Sequence, residues 1–134
     1  MPTKLEGAAH DLLASAVPVT LSIPRRDGTV QSVVIWAHAE GGEIFVNSAE
    51  GRAWPANLRR AKTATVTAIK DPGGYVYVSV TARLVAEAGP AESLEHINEL
   101  AHKYSGSDFP ETPGEVRVKF TLRPERVTYT DMTG

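Results

Sequence analysis

The sequence predicts a mainly β domain, an antiparallel meander or barrel with helices inserted at intervals, on three observations. Runs rich in β-branched and aromatic residues recur along the chain, among them VTLSIP, EIFVN, TATVTAIK, YVYVSVTARLVAE and VRVKFTL. The connections between them are short and carry turn residues: Asp27-Gly28, Gly41-Gly42 and Asp71-Pro72-Gly73-Gly74. Helical spacing appears only in a few segments, so the regular strand-helix alternation of a doubly wound sheet is absent. Six or seven strands in one domain spanning residues 1–134 are expected.

In order, Thr3-Lys4-Leu5-Glu6 matches a capping box, and Leu5, Ala9, Leu12, Leu13 and Ala16 recur at helical spacing, predicting a helix that runs to about Ala16 and ends before Pro18. A hairpin follows, VTLSIP and TVQSVVIWAHA about Asp27-Gly28. Glycines 41 and 42 then turn the chain into EIFVN. The five residues Val33-Val34-Ile35-Trp36-Ala37 are all apolar, whereas a strand buried on one face alternates. Both faces of that strand are therefore expected to be covered, the second by another subunit in an obligate homodimer or, alternatively, by a helix of the same chain.

Next, Glu43 to Arg60 reads as a buried strand (Ile44, Phe45, Val46), a polar connection ending at Gly51, and a short helix with Pro55 in its first turn. Arg52, Arg59 and Arg60 lie within about two and a half helical turns of one another. Beside a helix N-terminus that spacing suits phosphate or carboxylate; the same residues also suit a solvated basic face. Trp54 has two readings as well: with Leu58 it forms an i,i+4 apolar pair that anchors the helix, or its indole lines a cleft.

TATVTAIK and YVYVSVTARLVAE form the next pair of strands. Gly89-Pro90 breaks the sheet, and Leu94, Ile97, Leu100, Ala101 and Tyr104 fall on one face of a second long helix closed by Gly106. SDFPETPGE is a loop. VRVKFTL then places Val116, Val118, Phe120 and Leu122 on one face and Arg117 and Lys119 on the other. Pro124 is expected to break the chain before a last strand, ERVTYT.

Composition narrows the function classes. A net charge of −2 gives no electrostatic case for nucleic acid or an anionic membrane. The absence of cysteine excludes disulfides, thiolate metal sites and a cysteine nucleophile. No apolar run approaches membrane-spanning length and the start is interrupted by Glu6, His10 and Asp11, so a cytoplasmic protein is expected. His10, His38, His96 and His102 show no zinc-binding spacing, and no metal is expected. No nucleophile elbow, P-loop or GxGxxG is present. Catalytic side chains cannot be named, and redox chemistry here would rest on a bound cofactor.

Taken together, Asp27-Gly28, the apolar strand ending at Trp36, EIFVNSAEGR, Asn57-Leu58-Arg59-Arg60, HINELAHKYSG and EVRVKFTLRPERV resemble the pyridoxamine 5′-phosphate oxidase-like split β-barrel family. Within it the chain is most similar to the small flavin/deazaflavin oxidoreductases often called PPOX-class F420-dependent enzymes, over nearly its whole length. The resemblance implies a homodimeric, FMN-binding-like split barrel with cofactor sites between subunits. It implies coenzyme F420, or alternatively FMN, and hydride transfer between the reduced deazaflavin and an electron-poor C=C or C=N bond of a small molecule. A carrier or sensor without turnover is the alternative from another class. Val34, Trp36, Asn47 and Ser48 would flank the ring system, with Trp54 beside it in the cleft-lining reading. Arg52, Asn57, Arg59 and Arg60 would hold the phosphate and acidic tail. The chain departs from the family pattern at Trp54, where lysine is common, and at Ala61-Lys62-Thr63, where Asp-Pro-Arg is common.

Overall fold

A computed structural model describes residues 2–133; Met1 and Gly134, the outer bounds of the expected domain, lie outside the described residues. In chain order the elements are α1 (Gly7–Ala14), β1 (Val19–Pro24), β2 (Val30–Ile35), β3 (Ala37–Glu40), β4 (Glu43–Ala49), α2 (Ala53–Ala61), β5 (Thr63–Ile69), β6 (Val76–Glu87), α3 (Pro90–Ser105) and β7 (Arg117–Asp131). The strands pair antiparallel in one sheet ordered β2-β1-β5-β6-β7-β4-β3.

That order contains the closure of the barrel. β2 and β3 occupy opposite edges of the sheet, yet only Trp36 separates them in sequence. The sheet must therefore roll until its edges meet, because one residue spans no more than about 3.5 Å of extended chain. The expected single strand through Trp36 is thus two strands divided at the seam. Tyr104, from the last turn of α3, holds it: its ring stacks on Trp36 at 5.4 Å between centroids. Its hydroxyl donates to the Val17 carbonyl at 2.6 Å and accepts the Ala37 N–H at 3.2 Å. Lys103 adds a bond from Nζ to the Ala37 carbonyl at 2.7 Å.

Alternation builds the interior. Val19, Leu21 and Ile23 of β1, Val66 of β5, Val78 and Val80 of β6, Ile44 and Val46 of β4, and Phe120 and Leu122 of β7 are all fully buried. Burying each such side chain is worth about 1.5–3 kcal/mol. Within the chain β2 alternates: Val33 and Ile35 pack on the core, while Val34 is 71% and Val30 57% exposed, on the face expected to be covered by another subunit. As an edge strand it has only β1 beside it in the sheet.

Three local expectations are corrected. Thr3 and Glu6 form no capping box: α1 starts at Gly7 and ends at Ala14, with Glu6 at the N-cap making no side-chain bond, because buried Leu5 ties the preceding chain to the barrel. Pro124 does not divide the last strand, since a register shift beside it between Thr81 and Ala82 of β6 absorbs the missing N–H as a bulge. Val116 is 45% exposed, whereas Arg117, assigned by alternation to the outer face, is 6% exposed. The α3 assignment matches the structure, and Gly106 closes that helix at φ 80°, donating to the Ala101 and His102 carbonyls.

Candidate functional site

Beside the seam lies an open cleft of about 380 Å³, within the roughly 300–1,000 Å³ usual for small-molecule sites. One wall is the exposed edge strand and the seam, contributed by Val34, Ile35 and Trp36. The opposite wall is the apolar face of α3 through Ile97 and Leu100, and Phe109 reaches in from the loop after that helix. Phe109 is set by a bond from its N–H to Asn98 Oδ1 at 2.9 Å and meets Trp36 edge-on at 6.5 Å. The polar end consists of Asn47, Arg52 and Arg117.

A buried polar chain orders that end. Arg117 can only donate, so the bond from its Nε to Asn47 Oδ1 at 3.0 Å fixes which way the Asn47 amide faces. Nδ2 of Asn47 then donates to the Ser93 carbonyl at 2.8 Å and to His96 Nδ1 at 2.9 Å. His96 Nδ1 must therefore carry the lone pair, which leaves the neutral ring's proton on Nε2. That Nε2 is buried with no partner among the described residues, as is Ser48 Oγ. Burial foremost, with the charge of Lys119 next, pushes His96 down to about 4. The Arg117 guanidinium lies over the Phe109 ring at 4.9 Å and pairs with Glu115 at 3.1 Å.

Of the residues expected to flank the ring or hold the anion, Val34, Trp36, Asn47 and Arg52 come together around this cleft. The others lie elsewhere. Ser48 is buried in β4. Trp54 is 6% exposed and packs on Phe120 at 5.7 Å, in the core. Asn57 Nδ2 donates to Gln31 Oε1 at 2.7 Å. Arg59 pairs with Glu50 at 2.5 Å and Glu87 at 2.8 Å, with its guanidinium over the Phe120 ring at 5.3 Å. Arg60 donates to the Pro24 carbonyl. Arg117 and Phe109 were not foreseen; the one signal for Phe109 was an aromatic residue in an otherwise polar, Pro- and Gly-containing loop.

A seam-closed antiparallel sheet with a ligand-sized cleft at its open edge is the architecture of a split β-barrel. Comparison with solved structures gives the same fold. An F420 reductase superposes with a TM-score of 0.80 at 20% identity, covering 92% of this chain and 98% of its own. An FMN-binding protein from Syntrophomonas wolfei gives 0.71 at 17%, covering 94% and 86%. A protein from Listeria innocua proposed to be a pyridoxamine 5′-phosphate oxidase gives 0.70 at 13%, covering 89% and 92%. No protein-family model and no curated protein shows a significant match to the chain.

Proposed function

We propose that this protein is a homodimeric, cytoplasmic oxidoreductase that binds coenzyme F420 in the cleft and moves hydride between the reduced deazaflavin and an electron-poor C=C or C=N bond of a small molecule. The observation that carries the reading is the cleft itself: a slot with apolar walls on both sides and cationic groups at one end, beside an unpaired strand edge. The likeness of the fold to an F420 reductase supports it. When bound, the deazaflavin supplies the hydride chemistry.

The residues present suit such a group. Val34, Trp36, Ile97 and Leu100 offer an apolar lining against which a fused ring can pack, and β2 is an edge strand with backbone groups free of a second strand. Asn47 has both amide hydrogens engaged, so its role is to hold Arg117 in place. Arg52, with its side chain 54% exposed, stands at the mouth toward an anion. A second copy laid over Val30 and Val34 would cover apolar surface that the chain leaves open and would dry the cleft.

FMN is the second reading, and one observation favours it. Arg59 is taken by two glutamates and Arg60 by a backbone carbonyl, so fewer cations are free for an acidic tail than the spacing of the arginines suggested. Parallel fluorescence titrations with F420 and FMN at low and high salt separate the two. F420 is expected to bind more tightly, with affinity that falls as salt rises because exposed ion pairs are screened. Equal or tighter binding of FMN overturns the choice of F420. Tight binding with no oxidation of reduced F420 by a broad panel of acceptors makes the protein a carrier.

A further inference from the structure

The cationic end of the cleft holds more donors than the chain uses. Arg117 has five N–H groups. Nε is taken by Asn47 and Nη1 bonds Glu115 Oε1 at 3.1 Å, while Nη2 makes no hydrogen bond among the described residues. Nη2 is also not among the sealed, unpartnered atoms, and Arg117 lines the cleft as well as the adjoining hollow beside Glu115. The other oxygen of Glu115, Oε2, accepts from Arg52 Nη2 at 3.3 Å. Two guanidinium groups thus share one carboxylate, and neighbouring His96 is neutral. Positive charge remains uncompensated there, and around Arg117, which is buried, the dielectric is low, the setting in which a guanidinium attracts an oxyanion most strongly.

We propose that Arg117 and Arg52 form an oxyanion site at the cationic end of the cleft, and that Glu115 fills it in the free chain as a resident carboxylate. An arriving carboxylate or phosphate takes the open Nη2 edge of Arg117 and competes with Glu115 for Arg52. The apolar stretch from Val34 and Trp36 to Phe109 adds a second requirement, a flat apolar body joined to the anion. The ligand class is a planar organic acid or an aromatic phosphate. This deepens the proposed function and rests on its reading of the cleft as a ligand site.

Isothermal titration of the cofactor-free protein with 3-phenylpropionate and its neutral amide tests the site. The acid is expected to bind about tenfold more tightly than the amide, the order of one charge-assisted hydrogen bond. Glu115→Gln should tighten the acid several-fold and leave the amide alone, while Arg52→Met should narrow the gap between them. The same variants titrated with FMN and with riboflavin identify the source of the anion. A Glu115→Gln gain for 3-phenylpropionate alone assigns the site to a substrate carboxylate; a gain for FMN over riboflavin assigns it to the cofactor phosphate. Both outcomes uphold the site. Equal affinity for acid and amide, with the FMN-to-riboflavin ratio unmoved by either variant, overturns it. Failure of F420 and FMN to bind at all leaves the 3-phenylpropionate result standing, so the two readings fail separately.

Discussion

Nε of Arg117 donates to Oδ1 of Asn47 across 3.0 Å, joining β7 to β4 inside the wall of the cleft. Asn47 also serves Ser93 and His96, so one amide satisfies three groups. Asn47→Leu keeps the volume and removes all three bonds. Each buried polar group left without a partner costs about 1–3 kcal/mol. A loss of at least about 3 kcal/mol is therefore expected in urea unfolding. A loss below about 1 kcal/mol would show that the chain of bonds contributes little.

His96 gives stability a pH dependence of definite sign. In the folded protein it protonates only near 4, against 6.5 ordinarily. Between those values the unfolded chain holds a proton that the folded chain refuses, so stability falls as the pH is lowered from 6.5 to 4. The slope from this group is at most about 1.4 kcal/mol per pH unit, and above 6.5 the contribution is flat. Comparison with His96→Gln isolates it: the variant should lose less stability over that window. Identical slopes would contradict the buried, neutral ring.

The Tyr104 hydroxyl is one of the contacts that hold the seam, beside the Trp36 stack and Lys103. Tyr104→Phe keeps the stack on Trp36 and removes the partner of Val17 and Ala37. A cost of about 1–3 kcal/mol is expected, with faster hydrogen exchange at the Ala37 amide. Unchanged protection there would show that the edges are held by other contacts.

Trp54 sits against Phe120 in the core, where relatives of the resembled family commonly carry lysine. Trp54→Lys should lower the melting temperature, because it removes a buried aromatic ring and brings an ammonium group to an apolar site. Cofactor affinity should not rise. A tighter-binding variant of unchanged stability would place the indole in the cleft instead.

What the sequence made legible was what is local. Period-two runs and turn residues gave β1, β4, β5 and β6, and helical spacing with Gly106 gave α3. The division of Val30 to Glu40 into two edge strands was not legible, because Val33 to Ala37 are uniformly apolar and nothing in their order marks a change of edge. The partners of the arginines were not legible for a related reason. Arg52, Arg59 and Arg60 are near one another in sequence, but Glu115 and Glu87, which engage Arg52 and Arg59, lie 63 and 28 residues further on. Arg117 was assigned outward because alternation gives a side chain's face, and the cover that α3 and the loop after it lay over that face is a long-range fact.

The central claim is that the cleft beside Trp36 receives the cofactor. Hydrogen exchange with and without saturating F420, repeated with FMN, tests it most directly. Slowed exchange is predicted along Val30–Ile35, at Trp36 and Ala37, around Arg52, and in the α3 turn carrying Ile97 and Leu100. Protection confined to other surfaces, or no protection by either cofactor at concentrations that saturate binding, would contradict the assignment.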